Sequence, residues 1–243
     1  MSTEKYLAYR GIPKAVACRD EHVFLITTHE ENIHTPLYQL DLSTLQMSET
    51  ALDFNASALL VSADRVWLGS ASGDVYLQQK KIASLSKTGQ CVTAMKLLSH
   101  NRLAVLIGDS VEVVDADSGK ATQRIVLDEI ATAIDCDSSG QWLAVGTAKG
   151  QVAVYEDEIT EDKQKPTAFK LSETAKLHEG AVTAIMFDRD ELRFLSAGND
   201  NQLLTTHARG KLEAEDRGRG AGHDDAIKTM VQTSGERFIT GAA

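Results

Sequence analysis

The chain has 243 residues, of which 42% are hydrophobic and 25% are charged. This composition is typical of a folded domain and excludes a disordered or fibrous protein. The 35 Asp and Glu residues outnumber the 25 Lys and Arg residues, so the formal net charge is −10. A field of this sign repels phosphate groups, and we therefore expect no nucleic-acid partner.

The N-terminus and the cysteines bear on the cellular compartment. Residues 1–5 hold no basic region followed by an apolar run, and no later stretch approaches the roughly 20 apolar residues that cross a bilayer. We expect a cytoplasmic protein with no membrane partner. Cys18, Cys91 and Cys136 lack C-x-x-C spacing and lie in apolar stretches, which predicts small buried thiols.

Apolar segments of four residues recur about every 40 residues, a period that is typical of repeat architectures. They occupy 15–18, 57–60, 92–95, 131–134, 182–185 and 227–230. Each is followed by a polar turn, a second apolar run, a turn of small residues and a third run with alternating side chains. Alternation with a period of two predicts short antiparallel strands.

Two of the repeats, 66–77 and 143–154, align without a gap. Gly73 and Gly150 fall at the same position, where a tight turn needs the positive φ that glycine adopts freely. The DSGK segment at 117–120 predicts another such turn. No window of comparable length has the spacing of an amphipathic helix, so the sequence predicts an all-β protein.

The repeats resemble those of the WD-repeat family, whose unit is a four-stranded blade with a glycine–histidine pair before its first strand and a tryptophan–aspartate pair at the end of its third. The best matches are GHDDAI at 222–227, and HEGAVTAIMF at 178–187 followed by LSAGND at 195–200. The resemblance implies a single-domain β-propeller over 1–243, with about five four-stranded antiparallel blades and an incomplete further blade. The predicted blades are approximately 12–53, 54–88, 89–128, 129–178, 179–222 and, in part, 223–243.

The resemblance also implies a buried hydrogen-bonded set in each blade, formed by a loop histidine, a strand hydroxyl, a turn aspartate and the tryptophan. His178, Ser196 and Asp200 match three of these positions, and His223 matches the loop histidine of the last blade. We interpret both histidines as structural groups. A partial set should stabilise a blade less than a complete one. The tryptophan–aspartate pair is replaced by Leu40-Asp41, Val114-Asp115, Tyr155-Glu156 and Thr206-His207.

The last predicted blade stops within its second strand. We therefore expect the chain to be the N-terminal part of a longer protein, whose missing C-terminal segment completes the ring. Closure by an additional chain is the alternative. Residues 3–11 are a candidate closing strand, because 5–9 have the right length and alternation. An open ring would leave unpaired strand edges.

Four local patterns invite a chemical interpretation, and each favours a structural one. The GSASG segment at 69–73 misses the nucleophile-elbow register and fits a turn. The two histidines and two glutamates within 29–34 could bind a metal, but nothing fixes a third ligand, so a solvated loop is favoured. The basic RGRGAG segment at 217–222 does not complete a dinucleotide-binding motif and fits a connector, and 156–166 fits a charged loop. We predict no catalytic residue, no metal and no cofactor.

Acidic residues concentrate in the loops between the second and third strands of each predicted blade and in the connections between blades, which share one face of a propeller. We call this the loop face. An acidic protein carries acids in most of its loops, which is the simpler interpretation. The sharper one is that the loop face attracts a basic segment of a partner protein. The candidate residues on it are Glu30, Glu31, Asp53, Asp74, Asp109, Glu179, Asp224 and Asp225.

Because no catalytic set is visible, we predict a non-catalytic protein–protein interaction scaffold, and not an enzyme. The alternative is the propeller portion of a larger enzyme, or a small-molecule sensor with its site at the mouth of the channel. Convergent titratable groups around one pocket would favour that alternative.

Overall fold

In a computed structural model of the chain, the described residues are 11–28, 35–86, 88–158, 167–188, 192–219, 225–232 and 238–242. The chain divides into two compact units. The first contains Met1–Met95 and Asp117–Gly119, and the second contains Lys96–Ala116 and Lys120–Ala243.

Two four-stranded sheets belong to the first unit. Sheet 1 consists of β1 (Ile12–Arg19), β2 (His22–Thr28), β3 (Pro36–Asp41) and β4 (Gln46–Ala51). Sheet 2 consists of β5 (Ala56–Ser62), β6 (Arg65–Ser70), β7 (Asp74–Leu77) and β8 (Lys80–Ser84). In both sheets the strands lie in chain order and pair antiparallel, as in a meander.

Sheet 3 consists of β9 (Val92–Leu98), β10 (Arg102–Ile107), β11 (Ser110–Asp115) and β12 (Ala121–Val126), with a short 3₁₀ turn at Ser99–Asn101. The boundary between the two units falls within β9. The Asp117–Gly119 turn belongs to the first unit, where Arg65 forms an ion pair with Asp117.

The second unit holds two further four-stranded meanders and a hairpin. Sheet 4 consists of β13 (Ala131–Cys136), β14 (Trp142–Thr147), β15 (Gln151–Asp157) and β16 (Phe169–Lys176). Sheet 5 consists of β17 (Val182–Phe187), β18 (Arg193–Gly198), β19 (Gln202–His207) and β20 (Ala214–Arg219). Sheet 6 consists of β21 (Ile227–Gln232) and β22 (Phe238–Ala242).

Burial changes from strand to strand within a sheet. All six residues of β10 and all six of β14 are buried, whereas β4 and β16 are mostly exposed. The second strand of a sheet therefore lies in the core and the fourth forms an outer edge. In the second unit, sheets 4 and 5 share a core that includes Trp142, Val154, Val182 and Phe194.

A β-bulge recurs near the start of the first strand of sheets 1, 2, 4, 5 and 6. A bulge leaves one residue outside the ladder and turns its side chain to a new direction. The residues skipped by the ladder are Lys14, Ser57, Thr132, Thr183 and Lys228.

The bulge hydroxyls join neighbouring strands. Each lies within hydrogen-bond distance of two carbonyls, one in the second strand of its own sheet and one in the first strand of the next sheet. The pairs are Ser57 with Gly69 and Val92 (3.2 and 2.7 Å), Thr132 with Gly146 and Val182 (3.2 and 2.6 Å), and Thr183 with Ala197 (3.1 Å) and Ile227.

Small residues permit the close approach that these bonds require. A Cβ at Gly69 would lie 2.4 Å from Val92 Cγ1, and a Cβ at Gly146 would lie 2.5 Å from Val182 Cγ1. The predicted turns are also confirmed, since Gly73 and Gly150 have φ of 86° and 85° and Gly119 has φ of 68°.

Several local predictions are wrong. The repeat pattern aligns the apolar segments 15–18 and 57–60 with 131–134. In the structure, the positions of the bulges align 13–16 and 56–59 with 131–134 instead. The predicted connector at 217–222 begins inside a strand, since β20 extends to Arg219 and pairs along β19 through backbone groups that do not depend on side-chain type. Similarly, β15 extends into the predicted loop as far as Asp157.

The prediction of three buried thiols is also wrong. Cys18 is exposed, and Cys91 and Cys136 are half-buried. Apolar neighbours in sequence do not bury a side chain when alternate residues of a strand point to opposite faces. Burial raises the pKa of the Cys136 thiol to about 12, so this group is a neutral thiol at physiological pH.

Candidate functional site

The candidate residues of the loop face in the first unit are Asp53 and Asp74. Asp53 is exposed in the connection before β5, and Asp74 is the first residue of β7. Both carboxylates raise the pKa of Tyr76, although burial of its phenol is the larger cause. The Tyr76 ring stacks on Phe54 with centroids 3.7 Å apart. The two acids therefore flank one aromatic pair.

Asp74 is already engaged within its own sheet. It accepts a hydrogen bond from the Ser84 hydroxyl (2.6 Å) and pairs with Lys81 Nζ (2.9 Å). Burial alone would raise the pKa of Asp74, but these partners outweigh burial and lower it. Asp53 has no side-chain partner among the described residues. Of the two acids, Asp53 is the one available to another molecule.

In the second unit, the candidate residues are Asp109, Glu179 and Asp225. Glu179 lies 2.6 Å from Lys176 Nζ, and its side chain is 80% exposed. Asp109 follows Gly108 in the turn between β10 and β11, and Asp225 is exposed before β21. Neither Asp109 nor Asp225 has a side-chain partner in the described part of the chain. The ion pair at Glu179 reduces the negative charge that the sequence predicts for this face.

Glu129 and Lys149 form a further ion pair on the loop face of sheet 4. Glu129 Oε1 lies 2.8 Å from Lys149 Nζ, and Glu129 Oε2 accepts from the Thr147 hydroxyl at 3.2 Å. The hydrogen bond from Lys149 is the main reason that the pKa of Glu129 is lowered. Thr147 also accepts from the Gln151 amide (3.2 Å), so the three side chains brace the turn before β15.

Four of the predicted site residues lie outside the described residues: Glu30, Glu31, His223 and Asp224. The histidines and glutamates of 29–34 fall in the same gap. Among the residues that are described, no group of three or more His, Cys, Asp or Glu side chains is arranged to hold a metal ion.

His178, Ser196 and Asp200 are brought together in sheet 5. His178 Nδ1 lies 3.0 Å from Asp200 Oδ1, and His178 Nε2 lies 2.9 Å from Ser196 Oγ. Because a carboxylate only accepts, Nδ1 donates to Asp200 and Nε2 can accept from Ser196. Asp200 also accepts from the amides of Glu179 (2.9 Å) and Gln202 (3.2 Å).

The electrostatics of this cluster favour an ionised aspartate. Burial would raise the pKa of Asp200, but the amide of Glu179 and the imidazole of His178 outweigh burial and lower it. The tryptophan position of the repeat is occupied by Thr206, which is fully buried and whose hydroxyl has no hydrogen-bond partner among the described residues. Threonine therefore does not complete the hydrogen-bonded set.

The connectivity of Ser196, His178 and Asp200 is that of a serine-hydrolase triad, but its surroundings are those of a core. Ser196 is 0% exposed and His178 is 1% exposed. A nucleophile must reach a substrate carbonyl beside donors that stabilise an oxyanion. Since neither Ser196 nor His178 reaches the surface, this arrangement holds the loop before β17 against the turn between β18 and β19.

A cavity of about 450 Å³ opens in the second unit where the first strands of sheets 4 to 6 approach their ends. Met186, Met230 and Cys136 contribute soft apolar surface, and Lys96 and Asp135 contribute charge. Lys96 Nζ lies 2.6 Å from Asp135 Oδ1, while Asp135 Oδ2 accepts from the Phe187 amide at 2.7 Å. Both charged groups are thus satisfied by the protein itself.

A buried ion pair joins Arg102 and Asp157 in the second unit, and no motif in the sequence predicts it. Arg102 Nη2 lies 2.5 Å from Asp157 Oδ2, and the two side chains are 5% and 2% exposed. The hydroxyls of Ser99 and Thr167 each donate to the same oxygen at 3.1 Å. The only signal in the sequence was alternation, which puts Asp157 on the same side of β15 as the buried Ala153 and Tyr155.

Comparisons with known proteins identify the type of fold. No family model matches the chain, and no curated protein matches its sequence. None of the described helices is long and apolar enough to cross a membrane. Among solved structures, the β-propeller domain of Cps50 (Swd1) from Myceliophteria thermophila is similar, with a TM-score of 0.63 and 17% sequence identity.

The similarity to that domain covers 82% of this chain and 66% of the other. The chain therefore spans slightly less than two thirds of the length of the propeller domain that it matches. The meandering sheets agree with this similarity. The chain has an all-β fold, a β-propeller in which the described residues form five four-stranded antiparallel blades and two strands of a further one.

Proposed function

We propose that the chain is a non-catalytic protein-interaction scaffold of the WD-repeat type, which binds a basic segment of a partner protein on its loop face. The observation that carries the proposal is the presence of carboxylates without partners among the described residues, at Asp53 in the first unit and at Asp109 and Asp225 in the second. Complementary charge guides encounter and selects between partners. The fold supports a scaffold in general, because propellers present rigid surfaces.

The burial of Ser196 and His178 supports a non-catalytic role. These side chains have the bonding pattern of a nucleophile and its base, and they hold sheet 5 together. Asp74 and Glu179 contribute less to docking than the sequence predicts, since each has a lysine partner. We therefore assign the docking charge to the three unpartnered acids.

Affinity capture from native lysate tests the proposal. The bait is the wild-type chain, and the variant carries Asp53→Lys, Asp109→Lys and Asp225→Lys. A matched variant with Glu49→Lys, Glu156→Lys and Glu213→Lys has the same net charge but changes exposed acids away from the loop face. We expect a specific partner whose capture falls about tenfold in the first variant, is unchanged in the second, and weakens with salt.

Two results would contradict this proposal. Equal loss of capture in both variants would mean that net charge, and not the loop face, determines binding. If the wild type retains no specific protein under any salt condition, the scaffold function itself is wrong.

A small-molecule sensor is the second candidate function, because the cavity beside Met186 and Met230 is large enough for a metabolite. Thermal-shift screening with a metabolite library tests it. Stabilisation by one compound that disappears in Met186→Ala, with the uncomplexed variant still folded, would favour the sensor over the scaffold.

A further inference from the structure

A second surface of the first unit has the properties of a docking site, at the opposite end of sheets 1 and 2 from the loop face. A groove of about 500 Å³ lies between the hairpin turns of the two sheets. We call it the hairpin groove and define it by Asp20, Phe24, Gln39, Asp64, Val66 and Gln78. All of these residues belong to the first unit.

Tight turns form the rim of the hairpin groove. The pairs Arg19–His22, Ser62–Arg65 and Leu77–Lys80 each close a two-residue turn. Asp20, Ala63 and Gln78 adopt φ of 50°, 52° and 47° in these turns, as two-residue hairpins with the twist of the strands require. A rim built from such turns is ordered before a ligand arrives, so binding loses little conformational entropy.

The floor of the groove is apolar and aromatic. Phe24 is 9% exposed and Val66 is half-buried. The His22 ring stacks beside Phe24 with centroids 6.5 Å apart and an interplanar angle of 30°. This surface suits the aliphatic stem of a long side chain, which buries its methylene groups while its charged end stays near water.

Two carboxylates, Asp20 and Asp64, and one arginine, Arg19, line the groove. Asp64 is exposed and its carboxylate has no partner among the described residues. The Asp20 side chain is 77% exposed and pairs with Arg19 Nε at 3.3 Å. Asp41 lies behind His22, with Oδ2 3.9 Å from Nε2. The surplus of negative charge complements a cation.

Two carboxamides add hydrogen-bonding groups. Gln78 Nε2 donates to the Asp64 carbonyl at 3.1 Å and supports the Asp64 turn. Gln39 is half-buried, lines the groove and has no side-chain partner among the described residues. A carboxamide both donates and accepts, which is what the backbone of an extended peptide needs.

We infer that the hairpin groove binds a lysine or arginine side chain of an extended peptide segment on a partner protein. The aliphatic stem lies along Phe24 and Val66, the cation pairs with Asp64, and Gln39 bonds the peptide backbone. This inference rests on the proposed scaffold function, but it concerns a different face of the molecule and different residues. It adds a second basic-peptide site to the first unit.

Binding of a defined peptide to the full 243-residue chain tests the inference. The probe is an acetylated and amidated pentapeptide with arginine at its centre and alanine elsewhere, and a glutamate-centred peptide is its control. In ¹⁵N-labelled protein we expect saturable shifts at the side-chain amides of Gln39 and Gln78. Asp64→Asn should weaken binding about tenfold, as loss of one charge-assisted contact does, whereas Glu156→Gln, at an exposed acid away from both faces, leaves it unchanged.

Three outcomes would contradict peptide binding at the hairpin groove. The first is the absence of saturable shifts up to about 10 mM peptide, well above the millimolar dissociation constant of a weak contact. The second is equal affinity for the glutamate-centred peptide. The third is an Asp64→Asn variant that binds like wild type while its thermal unfolding is unchanged.

The two proposals fail separately. If partner capture depends on Asp53, Asp109 and Asp225 but peptide binding does not depend on Asp64, the proposal for the hairpin groove is wrong and the proposed scaffold function remains. If the peptide binds through Asp64 but no lysate protein is captured, the hairpin groove remains as a peptide-binding site and the proposed scaffold function is wrong.

Discussion

Thr132 and Val182 are joined by a hydrogen bond that links sheet 4 to sheet 5. Thr132 is the bulge residue of β13, and its hydroxyl lies 2.6 Å from the Val182 carbonyl and 3.2 Å from the Gly146 carbonyl. One hydroxyl hydrogen can point to only one acceptor at a time, and the shorter distance favours Val182. The bulge residue of one strand thus forms a contact between two sheets.

Removing the Thr132 hydroxyl should weaken that contact. We expect Thr132→Val to lower the free energy of unfolding by about 1 kcal/mol, since the hydroxyl bond is lost while the shape of the side chain is kept. Thr174→Val is the control, because Thr174 is exposed on β16 and its hydroxyl bonds no described residue. Urea unfolding measures both variants, and an equal effect of the two would contradict the linking role of Thr132.

A residue larger than glycine at position 146 should be tolerated only if Val182 is replaced by a smaller residue. In Gly146→Ala the new Cβ would lie 2.5 Å from Val182 Cγ1, and we expect a loss of about 1–3 kcal/mol from overpacking. The double variant Gly146→Ala, Val182→Ala should recover part of this loss relative to the sum of the single variants. A double-mutant cycle with purely additive effects would show that the two residues do not compete for space.

The repeat was predictable because its signals are local. Gly73 and Gly150 have the positive φ that their shared turn position indicates, and the alternation within each segment predicted the strands. The alignment of the first two repeats was wrong because a bulge at Lys14 or Ser57 shifts the register without changing apolar content. The pattern of apolar residues alone does not show where a strand contains the unpaired residue of a β-bulge.

The candidate site was only partly predictable, because its charges depend on neighbours in space. Asp74 and Glu179 look available in the sequence, but each has a lysine close to it in the structure. The triad of sheet 5 was indicated by the family resemblance. Arg102 and Asp157 come from different sheets, and no local pattern indicates that they meet.

The Arg102–Asp157 pair should matter for stability. We expect Arg102→Met to lower the free energy of unfolding by about 3–5 kcal/mol, because it leaves a buried carboxylate without its cation. Arg19→Met is the control, since its pair with Asp20 is exposed and worth at most about 1 kcal/mol. The double variant Arg102→Met, Asp157→Leu should recover much of the loss. A cost for Arg102→Met no greater than that of the control would contradict this account.

Thiol labelling should separate Cys18 from Cys136. Cys18 is exposed, whereas burial raises the pKa of Cys136 to about 12, so almost no Cys136 thiolate exists at neutral pH. Since the thiolate is the nucleophile, iodoacetamide should modify Cys18 in the native protein and reach Cys136 only after unfolding. Peptide mass spectrometry after a short exposure at pH 7.5 measures the order. Equal labelling in the native state would show that Cys136 is accessible and ionised.

Asp200 should make the stability of sheet 5 depend on acid. Its pKa in the folded protein is lowered below 3.8, since the bonds from Glu179 and His178 outweigh burial. A lowered folded-state pKa means that the unfolded chain binds the proton more readily, so this contribution is present above about pH 4 and is lost as pH falls through the folded pKa.

The comparison of wild type with Asp200→Asn isolates that contribution. At pH 7 we expect the variant to be less stable by about 1–3 kcal/mol, because His178 loses its charged acceptor in a buried position. Below about pH 4 the unfolded wild-type chain binds a proton at Asp200 more readily than the folded protein does, so the difference between the two proteins should shrink. Urea unfolding between pH 3 and 7 measures it. A difference that stays constant or grows towards low pH would mean that Asp200 is not held as a carboxylate by His178 and the Glu179 amide.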